Sequence, residues 1–191
     1  MRERIAAFWI WLDAIELPLV RWLEQRRGNY DLQNVARALT RAGDHGALWH
    51  GIAFAGQLLD RSRRERWQAV NIAVAAAYVI NTVLKLVLAR GRPPTPGVGT
   101  LSVLSFPSAH AATSAAADYT LRGLLPRVLV LPLAFATAVS RLYFGVHYLS
   151  DIVVGALLGR LIARATLRRW PRRSKHTDLQ QAPATAPAST E

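Results

Sequence analysis

The sequence predicts an all-α fold: a polytopic membrane bundle of five crossing helices, preceded by an amphipathic or sixth spanning helix. Three observations predict it. Hydrophobic residues make up 51% of the 191-residue chain and are concentrated in long runs. The clearest run, Trp67 to Leu88, covers 22 residues with Lys85 as its only charge, and a bilayer crossing needs roughly 20. The segment Ser108–Ala117 is built of small residues that let helices approach closely. The length allows one domain or one membrane bundle.

Taken in order, the elements are as follows. In the stretch Ile5 to Gln25, Phe8, Trp9, Trp11, Leu12, Ile15, Leu19 and Trp22 supply apolar bulk, while Asp13, Glu16 and Arg21 interrupt it. That pattern suits a helix lying in the membrane interface over residues 1–28, with a sixth crossing as the alternative. It lacks the small-residue cleavage site of a signal peptide. The bundle, residues 29–170, has crossings at 41–60, 67–88, 108–123, 126–143 and 147–165. Ala47 to Leu59 is only 13 residues long, so its crossing has to start near Arg41. For 67–88, hydropathy alone leaves a fully buried soluble helix as the rival. The crossing at 108–123 is interrupted by Asp118, that at 126–143 contains Pro132, and that at 147–165 contains Arg160. Each needs its polar flanks, a tilt or bundle packing to span. From Pro171 onward the chain lacks apolar periodicity and reads as a disordered tail, 171–191.

Composition narrows the function. With 24 Lys and Arg against 12 Asp and Glu, the formal charge is +12. Charge alone would suggest a nucleic-acid binder, but the apolar runs argue for a membrane protein instead. The absence of cysteine excludes a disulfide framework, a zinc–thiolate site and a cysteine nucleophile.

Alternate crossings put alternate connections on opposite sides. One side carries 61–66, 122–127 and the C-terminus; the other carries 89–107 and 144–147. Lys85, Arg90, Arg92, Ser108, His110, Arg141, His147 and Asp151 all fall at the second side, although they are spread over 67 positions. A cation cluster in or beside a membrane is costly unless paired, and the local segment offers Lys85, Arg92 and Arg141 no carboxylate run. An anion is the missing partner, and arginine's fork suits phosphate. The segment FPSAH, 106–110, opens a helix whose free N–H groups around Ser108 and Ala109 would point at that anion. His147 and Asp151 are four apart and share a face if helical. A carboxylate there holds one imidazole nitrogen protonated and leaves the other as nucleophile or base. A phosphate ester uses the whole set: one histidine attacks phosphorus, the cations and N–H groups neutralise the growing charge, and a second histidine protonates the leaving oxygen. The chain contains no acidic metal-binding motif, so metal independence is expected, with no cofactor.

These residues carry a resemblance. KLVLARGRP at 85–93 fits K-x6-R-P, PSAH at 107–110 fits P-S-G-H, and SRLYFGVHYLSD at 140–151 fits S-R-x5-H-x3-D. In that order they resemble the type 2 phosphatidic acid phosphatase superfamily, which also includes vanadium-dependent haloperoxidases. The resemblance implies that Lys85, Arg92 and Arg141 bind the phosphate. It gives Ser108 and the Ala109 backbone as hydrogen-bond donors, His110 as the general acid, and His147 as the transient phosphohistidine oriented by Asp151. Ala109 departs from the usual glycine, adding one methyl and restricting the backbone; a helix N-terminus requires no positive φ.

Asp44 and His45, in AGDHG, fall near the mouth of the site and are candidates for a headgroup contact, against a turn with a helix cap. Asp118 is expected to pair with Arg122 at i+4. Arg90 lies outside the motif and is read as structural.

The expected function is a metal-independent lipid phosphate phosphatase acting through phosphohistidine. Candidate substrates are phosphatidate, phosphatidylglycerophosphate, polyprenyl diphosphate and a polyprenyl-linked sugar phosphate. The rivals are a vanadate-dependent haloperoxidase and a non-catalytic lipid-binding membrane protein. The expected partners are the lipid substrate and membrane lipids, without nucleic acid; oligomeric state stays open. The small size resembles bacterial members, placing the chain in the inner membrane. Twelve basic residues gather on the first side, so the positive-inside rule puts that side and the C-terminus in the cytoplasm and the site outside.

Overall fold

The computed structural model describes residues 2–94 and 102–170. Helices α1 (Arg2–Gln25), α2 (Tyr30–Gly43), α3 (Ala47–Leu59), α4 (Arg64–Leu88), α5 (Ala109–Thr120), α6 (Arg127–Tyr143) and α7 (Leu149–Arg169) account for most of them. Among the described residues there is no strand, only two isolated bridges. The expected tail at 171–191 lies outside the described residues.

The short helix α5 forms the axis. Its sequence, AHAATSAAADYT, leaves no bulky side to keep neighbours away, and nine of its twelve residues are buried. Helices α4, α6 and α7 pack around it. α7 comes closest because Gly155 and Gly159 face α5; a Cβ at Gly159 would stand 2.0 Å from the Ala112 carbonyl oxygen. α4 contributes Ala73 and Ala77 to the same close-packed seam. At one end of the bundle Trp49, Trp67, Leu121 and Val130 build the bulkier core. There Arg63 Nη1 donates to the Gly123 carbonyl (3.1 Å) and Arg66 Nη2 to the Arg122 carbonyl (2.7 Å), so the connections after α3 and after α5 meet. The expected Arg122–Asp118 pair forms at 3.4 Å.

Helices α4 to α7 follow the expected crossings within a few residues. The expected crossing at 41–60 does not exist as one helix. It breaks at a single 3-10 turn, Asp44–Gly46, where His45 (φ 55°) and Gly46 (φ 75°) are left-handed. Gly46 tolerates that conformation, and a Cβ there would stand 2.8 Å from Val74 Cγ1. Upstream of the break lies α2, not foreseen as a separate helix. It starts at Asn29, whose side chain caps the Leu32 N–H, and it lays Ala36, Thr40 and Gly43 against the bundle. At 1.5 Å per residue, α3 and α5 are about 20 and 18 Å long, shorter than a bilayer's roughly 30 Å hydrocarbon layer. Among the described residues, one helical stretch, Arg61–Leu88, is by itself long and apolar enough to cross a membrane.

Helix α1 reverses the pattern of a water-soluble surface helix. Phe8, Ile10, Trp11, Ile15 and Trp22 are exposed, while Asp13 and Glu16 near its middle turn inward. Trp9 Nε1 donates to the Leu88 carbonyl at 3.0 Å. Asp13 and Glu16 reach Arg90, just beyond the end of α4. Val20 packs with Leu142 and Tyr148.

Candidate active site

At the end of the bundle opposite the α3–α4 connection lies a cavity of about 310 Å³. Its lining is assembled from distant segments: Asp44 and His45 from the turn before α3, Tyr78, Thr82, Lys85 and Leu86 from α4, Arg92 and Ser102 from the segment that follows. Ala109 and His110 from α5, Arg141 from α6 and His147 complete it. Three basic side chains, Lys85, Arg92 and Arg141, therefore share this lining with one carboxylate, Asp44, among the described residues.

Each cation is aimed by the fold. Lys85 is buried in the last turn of α4, and its Nζ donates to the carbonyls of Leu104 (3.1 Å) and Ser105 (2.9 Å). Two of its three N–H bonds are thus held while the head still lines the cavity. Arg92 Nε donates to the Ser102 carbonyl (2.7 Å), and Nη1 contacts the Val146 carbonyl. Burial, followed by the charge of Arg141, pulls the Arg92 pKa down to about 10, so it remains a cation at neutral pH. Arg141, 5% exposed, has an Nε–H with no hydrogen-bond partner among the described residues. A buried guanidinium N–H left unpaired is costly, and an anion in the cavity would satisfy it.

The geometry also assigns the protons. His147 Nδ1 lies 3.1 Å from Asp151 Oδ2, and its Nε2 lies 3.3 Å from Arg92 Nη1. A guanidinium only donates, so Nε2 is the accepting nitrogen and Nδ1–H points to Asp151. The Nε2 lone pair therefore sits beside the cations. His110 Nε2 stands 2.9 Å from the Thr40 carbonyl, which only accepts, so this nitrogen carries a proton; Asp44 Oδ1 is 3.5 Å away. Gly43 permits this approach, because a Cβ there would fall 2.6 Å from His110 Cδ2. His45 lies against Tyr78, with ring centroids 5.3 Å apart.

Ser108 is the exception to the expected set. It is fully buried, caps α5 by accepting from the Ala111 N–H at 3.5 Å, and gives its own N–H to the Asp151 carbonyl at 2.9 Å. That N–H is therefore not free to meet an anion, contrary to expectation; Ala109 lines the cavity instead. Asp151, with 0% exposure, stands behind His147 and not in the cavity.

For Arg90, read as structural, the sequence did not show the partners. The structure gives it 0% exposure and four side-chain partners: Asp13, Glu16, Ser150 and Asp151. The available signal was Asp13 and Glu16, two carboxylates three residues apart in the otherwise apolar stretch Ile5–Val20. Burial is the largest single influence on Arg90 and opposes its charge, yet Glu16, Asp151 and Asp13 together raise its pKa above the ordinary value.

A helical bundle that holds three cations around a carboxylate-backed histidine has the architecture of a phosphate-ester hydrolase. The chain belongs to the PAP2 superfamily, whose family model matches residues 67–175. It is 42% identical over 128 residues to a decaprenylphosphoryl-5-phosphoribose phosphatase of Mycolicibacterium smegmatis, covering 63% of this chain and 69% of the relative. The fold matches a transmembrane PAP2-type phosphatidylglycerolphosphate phosphatase from Bacillus subtilis with a TM-score of 0.70 at 21% identity, covering 86% of this chain and 93% of the other. It also matches LpxE from Aquifex aeolicus, with a TM-score of 0.68 at 20% identity and coverage of 81% and 95%.

Proposed function

We propose that this protein is a membrane phosphatase that removes the terminal phosphate of a lipid-linked ester through a phosphohistidine at His147. The observation that carries the reading is the convergence of Lys85, Arg92 and Arg141 on the lone-pair nitrogen of His147, with the Arg141 Nε–H still unpaired. A bound phosphate takes up the cation donors, including the Arg92 N–H now directed at Nε2, and so frees the lone pair. Nε2 attacks phosphorus and the ester P–O bond breaks. Its electron pair leaves on the lipid oxygen, which takes a proton from His110 in its imidazolium form, leaving that ring neutral. Water then attacks the phosphohistidine, His110 recovers a proton, the P–N bond breaks and orthophosphate is released. Asp151 accepts the Nδ1–H throughout and stabilises the charge on the ring.

Among the candidate lipids, the polyprenyl-linked sugar phosphate is favoured by the substrate named for the Mycolicibacterium smegmatis relative. It is also favoured by the polar groups of Asp44, His45 and Thr82 beyond the cations. Leu86 lines the cavity, and it, Val79 and Val83 of the same helix are exposed, which suits a lipid tail that stays in the bilayer. In this reading the bundle crosses the membrane five times, with α1 lying in the interface or crossing as a sixth helix. The site opens on the non-cytoplasmic face of the inner membrane.

A phosphate-release screen of purified protein in detergent tests the reading across phosphatidate, phosphatidylglycerophosphate, polyprenyl diphosphate and a polyprenyl-linked sugar phosphate. The wild type is expected to release phosphate, fastest from the sugar phosphate, and His147→Ala to lose roughly 10³-fold or more. Equal release by both proteins would sink the phosphohistidine step. Activity is expected to survive a chelator. Bromide oxidation by peroxide with vanadate, without phosphate release, would assign the pocket to a haloperoxidase instead.

A further inference from the structure

We propose that Arg90 is a positioning residue for the nucleophile, and that helix α1 completes the active site by holding Arg90 from behind. The inference rests on the phosphohistidine reading, but its observations are separate ones. Arg90 is entirely buried, and its guanidinium is divided between two elements. Toward α7, Nη1 donates to Asp151 Oδ1 and to Ser150 Oγ, each at 2.7 Å. Toward α1, Nε donates to Asp13 Oδ1 at 2.9 Å and Nη2 to Glu16 Oε2 at 2.7 Å. Tyr148 and Trp9 lie beside it, with the guanidinium carbon 4.0 and 4.9 Å from their ring centroids.

The consequence appears at Asp151. One of its oxygens is taken by Arg90; the other accepts the Tyr148 N–H at 2.9 Å and faces His147 Nδ1 at 3.1 Å. The carboxylate therefore cannot rotate away from the imidazole, and the arginine compensates for its burial as an anion. Glu16 adds a second restraint. Its Oε1 accepts the Ser150 N–H at 2.7 Å, and its Oε2 accepts Ser150 Oγ–H at 2.6 Å, so a side chain of α1 caps the start of α7. Asp13 and Glu16 touch neither the cavity nor His147. They act through Arg90 and Ser150.

The proposal predicts a pH signature that a purely structural role would not produce. The other charged or titratable groups facing His147 are Asp151 on α7, Arg92 after α4, Lys85 on α4, Arg141 on α6 and His110 on α5. All stay constant in the variants below. Removing the Arg90 charge makes it easier for the His147–Asp151 pair to hold a proton, whichever partner carries it. Attack requires that the pair has lost the proton.

Compare wild type, Arg90→Gln, Arg90→Lys and Glu16→Gln, measuring kcat and KM against pH for the substrate released fastest. In parallel, follow the titration of His147 by 15N NMR of histidine-labelled protein, with His147→Ala to assign the signal. In Arg90→Gln the acidic limb and the NMR midpoint are expected to rise by about one pH unit, with kcat at neutral pH at least about 10-fold lower and regained as pH rises. Arg90→Lys, which keeps the charge, is expected to restore the wild-type limb while recovering only part of kcat. Glu16→Gln is expected to lower kcat with KM unchanged and no upward shift of the limb. A limb and NMR midpoint in Arg90→Gln that match wild type would overturn the proposal, even if kcat falls. If Arg90→Gln fails to fold, an unchanged kcat in Glu16→Gln overturns the role of α1, and a shifted limb in Arg90→Lys overturns that of the charge. A wild type that hydrolyses no lipid phosphate would count against the phosphatase reading alone, because the NMR titration needs no substrate.

Discussion

The cation with the least support from the protein is Arg141. Lys85 and Arg92 rest on carbonyls, whereas the Arg141 Nε–H has nothing to bind. Its forked geometry should therefore matter more than its charge. Arg141→Lys is expected to lose about 1.5–3 kcal/mol of phosphate contact, roughly a 10- to 150-fold fall in kcat/KM, measurable in the same phosphate-release assay. A fall of less than threefold would show that charge alone suffices. At this scale, legibility followed whether a residue's partner is local or distant. His147 and Asp151 are four positions apart, so their pairing is readable from a helix turn. Arg90 meets Asp13 across 77 positions and Asp151 across 61, and no local pattern brings them together. Ser108 was half legible: it starts α5 as expected, but its N–H goes to the Asp151 carbonyl, while its hydroxyl caps by accepting and keeps its O–H.

Among the elements, small residues decide how near two helices can come. α5 and α7 approach so closely that Gly159 has no room for a side chain. Alanine in place of a helical glycine normally gains up to about 1 kcal/mol, while overpacking a close contact costs about 1–3 kcal/mol. With a backbone carbonyl 2.0 Å from the new Cβ, overpacking wins, and Gly159→Ala is expected to lower the thermal unfolding midpoint in detergent. Gly51→Ala on α3, where nothing lies within 4 Å, is expected to leave that midpoint unchanged or raise it. An equal response at both positions would contradict this account of the packing. The apolar runs located α4 to α7 because a run that long leaves few alternatives. The run Ala47–Leu59 likewise coincides with α3, but its extension back to Arg41 failed, because the left-handed pair His45 and Gly46 splits the segment, and α2 upstream has no such run. The split is useful: it swings Asp44 and His45 to the mouth of the cavity, which a continuous helix from Arg41 would not do.

For the whole molecule, arginine divides into separate populations. Arg63 and Arg66 tie two connections together at one end of the bundle, and Arg90, Arg92 and Arg141 gather at the other. The proposed topology puts the first end in the cytoplasm. In the cysteine-free chain, Ser174→Cys is expected to react with an impermeant thiol reagent only after the membrane is opened. Val103→Cys, 81% exposed beside the site, should react in intact cells. The reverse pattern would invert the protein.

The three cations proposed to hold the ester would also affect turnover. In the proposed reaction, hydrolysis leaves orthophosphate between Lys85, Arg92 and Arg141, which line one cavity. The lipid alcohol can return to the bilayer, but the ion has to break each of those contacts to reach water. Orthophosphate should therefore act as a competitive inhibitor, and its escape sets a ceiling on kcat. Raising the salt concentration, by screening the cage, would ease that departure while loosening the grip on the next substrate.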